Sequence, residues 1–334
     1  MKYPIYIAIL FFTSFHFAFA DNKTEYTVGI IPYIPAGEFV VADHKKLYEK
    51  EGLNVRSIYY TSTGDWVRAL SNGKLDFSGL WNATQVDMYY RGSSAKRLAL
   101  MSYDSDDYKM VIRNNAKPED LKGKRIAVFA DYFGTHWFVH NFMHKSGASV
   151  HDVKLIEMNN LEGYKNFKNK RVDGLIFDGK YMDNAITEGD GMVAPIDRDM
   201  YLAATTGGPS YFETDRKITR DELKKFLRAW VKAMIWIEDD KNAEEYKQIL
   251  TTAFSNNLEL VGLETEQDYL KRKPRSMLIP MKNMVKLNKS MNTMFDKLND
   301  IRKSIGYENN RKYMADKMFD NSIILEVLEE LGYK

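Results

Sequence analysis

The sequence predicts an α/β protein of two similar lobes, each a mainly parallel sheet flanked by helices, with a helical C-terminal tail. Three observations carry this. Short apolar runs alternate with helical patterns over residues 26–183, the order that builds parallel sheets through helical crossovers. The same punctuation occurs twice: Asn72-Gly73-Lys74-Leu75-Asp76 and Asn169-Lys170-Arg171-Val172-Asp173 hold equivalent places, as do Gly52-Leu53-Asn54-Val55 and Gly147-Ala148-Ser149-Val150. After residue 219 the pattern is helical only.

Composition narrows the function classes. Among 334 residues, 48 basic and 46 acidic side chains nearly cancel, so neither a nucleic-acid groove nor a polyanionic partner is implied. The absence of cysteine excludes a disulfide scaffold, thiolate metal sites and a cysteine nucleophile. The N-terminus reads as an export signal over 1–20: Lys2, an apolar run over 5–17, and Ala18-Phe19-Ala20 before Asp21 as the cleavage site. The run is shorter than the roughly 20 residues of a spanning helix. The mature protein is expected to start near Asp21 in the periplasm.

In the first lobe, 26–31 reads as a buried strand closed by Pro32-Tyr33-Ile34-Pro35. A helix is expected over 38–50, ended by Gly52 as a C-cap, then a strand over 54–60. Thr61-Ser62-Thr63-Gly64-Asp65 is a hydroxyl-rich turn opening a helix over 66–71. A third strand follows Asp76 and ends at Trp81-Asn82, where Ala83 and Thr84 begin a helix. In the second lobe, the polar turn Lys122-Gly123-Lys124 precedes a strand over 125–129, a helix over 135–145, a strand region over 150–158, a helix over 162–167 and a strand ending at Phe177-Asp178. Residues 197–204 read as a strand and 205–209 as a flexible return crossing. Thr219 and Glu222 form a capping box for a long helix to residue 237, followed by helices over 243–254, 281–305 and 309–331. The expected organisation is 1–20 signal peptide, 21–107 with 206–334 as the first lobe, and 108–205 as the second.

Parallel sheets bind ligands outside their carboxyl ends. The candidate ligand-binding residues are therefore Tyr33, Thr63, Asp65, Trp81, Asn82 and Thr84 in the first lobe, and Tyr132, Gly134, Thr135, His136 and Asp178 in the second. Thr63, Thr84 and Thr135 stand at helix starts, where hydroxyls and backbone N–H groups converge on a polar group or simply cap the helix. Tyr33 and Trp81 suit a planar ligand. These turns carry no lysine or arginine and do carry Asp65 and Asp178, which favours a neutral or cationic nitrogen-containing ligand, heteroaromatic among the options, over nitrate or a sulfonate. His136, His140 and His144 recur at i, i+4 and i+8. One ion does not easily span both turns, so a helix flank, not a metal site, is expected. No GxSxG, P-loop or GxGxxG is present, and no cofactor, catalytic residue or turnover is expected. The basic run Lys271-Arg272-Lys273-Pro274-Arg275 is expected to be a solvated linker.

Several stretches resemble one family. Gly37-Glu38-Phe39-Val40-Val41-Ala42 through Glu49-Lys50-Glu51-Gly52-Leu53-Asn54-Val55 is similar to the start of periplasmic solute-binding proteins of the nitrate/sulfonate/taurine and thiamine-pyrimidine-precursor class. Gly73-Lys74-Leu75-Asp76, Asp120-Leu121-Lys122-Gly123-Lys124-Arg125-Ile126-Ala127-Val128 and Arg171-Val172-Asp173-Gly174 resemble later segments of the same class, over roughly 26–240; Gly179 stands where its members have proline. The resemblance implies a type II-like periplasmic-binding-protein fold that closes on a small molecule as a monomer and delivers it to a membrane ABC permease. It leaves open a sensory protein that presents the ligand to a membrane receptor. Pyrimidine-precursor synthases share the scaffold, but their cysteine-rich motif is missing here.

Overall fold

The computed structural model describes residues 24–31, 36–60, 63–101, 109–128, 133–177, 180–196, 207–213, 217–255, 281–306 and 312–333. The signal-peptide segment, the expected strand over 197–204 and the basic run at 271–275 lie outside the described residues.

In chain order, β1 (Glu25–Ile30), β2 (Asn54–Tyr59) and β3 (Phe77–Trp81) are linked by α1 (Gly37–His44), α2 (Leu47–Lys50) and α3 (Thr63–Ser71); α4 (Asn82–Tyr90) then leads to the short β4 (Ala95–Arg97). The second unit holds β5 (Lys109–Arg113), β6 (Arg125–Val128), α5 (Phe133–Met143), β7 (Lys154–Glu157), α6 (Asn160–Lys168), β8 (Gly174–Phe177), α7 (Lys180–Thr187) and β9 (Gly191–Val193). β10 (Gly207–Phe212) follows. The remainder is helical: α8 (Arg220–Glu238), α9 (Ala243–Phe254), α10 (Met284–Lys289), α11 (Met291–Ser304), α12 (Ala315–Met318) and α13 (Ser322–Glu330).

The two sheets repeat one plan. Their strand orders are β2-β1-β3-β10-β4 and β7-β6-β8-β5-β9. In each, the first three strands are parallel, and the fourth is antiparallel to its neighbours. That fourth strand is the one the chain makes directly after passing from one sheet to the other. The expected return crossing over 205–209 is corrected in part: Gly207, Gly208 and Pro209 belong to β10, paired with Trp81, Leu80 and Gly79.

The doubled punctuation has a structural cause. Asp76 accepts the Thr27 backbone N–H at 2.8 Å, and Asp173 accepts that of Arg125 at 3.1 Å. In both sheets a carboxylate just before one parallel strand (β3, β8) thus accepts a backbone N–H near the start of the parallel strand beside it (β1, β6). Gly52 and Gly147, with φ of 82° and 71°, end their helical segments in the left-handed conformation that a Cβ disfavours. The expected helix over 38–50 is two helices instead, because Lys46 turns left-handed at φ 53°.

The first sheet is pinned to α8 by a stack of rings. Phe77 of β3 lies 3.8 Å from Phe226, whose ring is 5.4 Å from Tyr48 of α2. The Thr219–Glu222 capping box opens α8 as the sequence indicates. Outside, a ladder of cations along α8 meets carboxylates at the C-terminal end of α2 and on α13: Arg228 and Lys232 reach Glu51 at 2.9 and 2.6 Å, and Lys224 reaches Glu330 at 2.5 Å. Burial alone would push the Glu51 carboxyl up, but its hydrogen bonds from Lys232 and Arg228 outweigh this and hold it below its ordinary range. The tail helices predicted over 281–305 and 309–331 are shorter pieces, broken at Ser290 and at 319–321.

Candidate functional site

Because β1, β2 and β3 run parallel, their carboxyl ends share one edge, and the same holds for β6, β7 and β8. Two of the helices that leave these exits, α4 after β3 and α5 after β6, pack against each other, one from each sheet. Each begins at the edge where parallel sheets take ligands, with its first N–H groups unused by the helix itself.

Around α4, Trp81 is half-buried and extended (φ −76°, ψ 154°) as the N-cap residue, Asn82 is fully buried, and Thr84 is half-buried one step further. Around α5, Gly134 and Thr135 are buried at the start of the helix and His136 is half-buried. The structure brings these six residues to one helix pair. Thr63 and Asp65 stand after β2 at the same edge of the first sheet, in the first turn of α3, which is not part of this helix pair. Asp65 is exposed and pairs with Arg68 at 2.5 Å, so a cation one turn along its own helix balances that carboxylate. Tyr33, Tyr132 and Asp178 lie outside the described residues.

A polar cluster joins α4, α5 and α11 behind these helix starts. Asp87 pairs with Arg91 at 2.6 Å; burial raises its carboxyl above the ordinary range, while Arg91, Arg302 and His136 oppose that rise. His136, on α5, is thus within electrostatic reach of a carboxylate on α4. The Arg302 guanidinium lies 3.5 Å over the Tyr90 ring, and Tyr90 donates to Asn299 at 2.5 Å.

The other two histidines lie against protein groups. His140 Nε2 is 3.2 Å from Ser304 Oγ, His144 Nδ1 is 2.9 Å from the Asn141 carbonyl, and the two rings stack at 5.1 Å. Among the described residues no group of three His, Asp or Glu side chains is arranged to hold a metal ion, and no helix is long and apolar enough to cross a membrane.

Sequence reasoning passed over one buried acid and one half-buried one, Glu38 and Asp87. Glu38, in the first turn of α1 just past the β1 exit, is fully buried beside Gly37, where an added Cβ would sit 2.0 Å from Tyr246 Oη. Its one signal was a carboxylate set directly before Phe39-Val40-Val41-Ala42, a run buried throughout. Asp87 gave no comparable signal, since a charged residue in mid-helix ordinarily faces water.

Two α/β sheets of one plan, between which the chain crosses twice, have the fold of the periplasmic binding proteins. The model of the family described as NMT1/THI5 like matches residues 36–243, and the chain belongs to that family. A protein of Brucella abortus (strain 2308), provisionally named a binding protein, is 26% identical over 258 residues, covering 75% of this chain and 76% of that one. One of Bacillus subtilis (strain 168), provisionally named for binding aliphatic sulfonates, is 26% identical over 60% of this chain and 62% of its own. Among solved structures, the periplasmic nitrate-binding protein NrtA of Synechocystis PCC 6803 superposes with a TM-score of 0.69 at 15% identity, over 93% of this chain and 90% of that one. The alkanesulfonate-binding protein SsuA of Xanthomonas axonopodis pv. citri, solved with MOPS bound, gives 0.65 at 12% identity over 89% and 98%.

Proposed function

We propose that this chain is an exported, periplasmic solute-binding protein that captures a small nitrogen-containing organic molecule between its two lobes and delivers it to an ABC importer, without turnover. The observation that supports this reading is the packing of α4 on α5, two helices that follow parallel strands and whose starts carry Trp81, Asn82 and Thr84 on one and Gly134, Thr135 and His136 on the other. Membership of the NMT1/THI5-like family and the names of its relatives support it. The described members of this set are neutral polar or aromatic groups and an imidazole, with the buried Glu38 in the first turn of α1, the helix after β1. This chemistry suits a neutral or cationic ligand with a planar, hydrogen-bonding body, a heteroaromatic amine among them.

A second reading, capture of nitrate or an alkanesulfonate, is favoured by what the named relatives bind and by the Asp65–Arg68 pair, which takes one of the two inferred cleft carboxylates out of the charge argument. A thermal-shift screen of the mature chain against pyrimidines, polyamines, amino-sulfonates, nitrate and flavins separates the two. A ligand at 100 times its Kd adds about 2.7 kcal/mol of stability, a readily measured shift. Stabilisation by the amines or pyrimidines supports the first reading. Stabilisation by nitrate or sulfonates alone replaces it with the second, and consumption of a bound compound would refute binding without turnover.

A further inference from the structure

The C-terminal helices meet the segment by which the chain leaves the first sheet. The chain leaves the first sheet through residues 98–101 and returns at Gly207, and the two passages touch. Met101 N–H donates to the Gly207 carbonyl at 2.6 Å, and Gly207 N–H to that of Met101 at 3.0 Å. Leu98 N–H donates to the Pro209 carbonyl at 2.9 Å, and the buried Arg97 donates through Nη1 to that of Gly208 at 3.1 Å. The backbones are so close that a Cβ on Gly208 would sit 2.2 Å from the Ala99 carbonyl oxygen. On this side the outgoing segment is paired by the returning strand β10.

On its other side a side chain pairs it. Asn288 of α10, fully buried, accepts the Leu100 N–H at 2.7 Å through Oδ1 and donates to the Leu100 carbonyl at 3.3 Å through Nδ2. A primary amide used in this way reproduces both hydrogen bonds of a neighbouring strand residue. The imitation is continued by the main chain: Asp320 N–H donates to the Arg97 carbonyl at 2.8 Å, and Phe319 forms a parallel bridge with Arg97. Asn321 holds Asn288 in place by donating to its carbonyl at 2.9 Å. The same tail also reaches the second unit, where Ser304 of α11 meets His140 of α5.

We propose that the outgoing segment over 98–101 is a pivot between the two lobes and that Asn288 is its positioning residue: the C-terminal helices clamp this segment at Leu100 and thereby restrict the angles the two lobes adopt. The inference rests on the reading of the lobes as a closing pair. Nothing about Asn288 requires contact with ligand, so the effect is tested without one.

The chain has no cysteine, so Val67→Cys on α3 and Lys165→Cys on α6, both exposed, place one spin label on each unit. Pulsed electron paramagnetic resonance then reads the distribution of interlobe distances in the otherwise natural mature chain and in its Asn288→Ala variant. Hydrogen exchange at the Leu100 amide is followed in parallel. The expected result is exchange at Leu100 at least tenfold faster, with a distance distribution at least twice as wide. Asn321→Ala leaves the clamp itself in place and is expected to give a smaller widening; it serves as the test should Asn288→Ala not fold, as judged by circular dichroism. Faster exchange at Leu100 with an unchanged distribution overturns the clamp and leaves the closing lobes standing. A parent chain with no spread beyond that of the labels overturns both.

Discussion

Replacing Phe226 with alanine tests whether one aromatic stack ties α8, and with it the return of the chain, to the first sheet. Phe226 is fully buried between Phe77 at 3.8 Å and Tyr48 at 5.4 Å. Removing a buried ring from a close-packed site costs about 3–5 kcal/mol in lost transfer energy and cavity formation. A central value of about 4 kcal/mol, divided by an unfolding entropy of about 2.1 cal/mol/K per residue, lowers Tm by about 6 °C if roughly 300 residues melt together. The same loss gives a drop of about 10 °C if a unit of roughly 200 residues melts alone. Differential scanning calorimetry separates the two cases, because only the second splits the transition. Phe226→Leu keeps most of the volume and is expected to cost about 1 kcal/mol. A loss below about 1 kcal/mol for the alanine variant would show that the ring stack is not what anchors α8.

Glu51→Gln removes the carboxylate shared by Arg228 and Lys232, and a cost of about 1–2 kcal/mol is expected at neutral pH, since both cations keep partial access to water. The Glu51 carboxyl is held below its ordinary range, so its contribution is complete above the unfolded value of about 4.3 and lost as pH falls through the lower, folded value. Urea titrations of parent and variant should therefore converge in acid; a gap that persists there counts against the ion pair as the cause. Burial, helped by the neighbouring His144, keeps the His140 imidazole below its ordinary pKa. The neutral ring is the native form, so its contribution is present above the unfolded value of about 6.5 and falls away on acidification through the folded one. His140→Gln should flatten stability against pH across that interval, and an unchanged slope would contradict it. Trp81→Ala is expected to weaken whichever compound the thermal screen identifies by about tenfold, the order of an aromatic stacking contact. Equal affinity by calorimetric titration removes Trp81 from the site.

The repeated plan was legible because local chemistry encodes it. Lys74-Leu75-Asp76 and Arg171-Val172-Asp173 carry the same carboxylate for the same backbone donor, and Gly52 and Gly147 supply the same left-handed stop. Thr219 and Glu222 mark the start of α8 for the same reason: the partners are three residues apart. The strand exits at Trp81 and ahead of Thr135 followed from those boundaries.

Tertiary structure alone decided what depends on distant partners. The short β4, β5 and β9 have little periodicity of their own, and the antiparallel places of β5 and β10 follow from the chain changing sheets. The partial burial of Asp87, the pairing of α4 with α5, and the hydrogen bonds of Asn288 to Leu100 across 188 positions have no local signature. A side chain's short-range partners are fixed by spacing along the chain, whereas its burial and its long-range hydrogen bonds are fixed only when the sheets and helices are assembled around it.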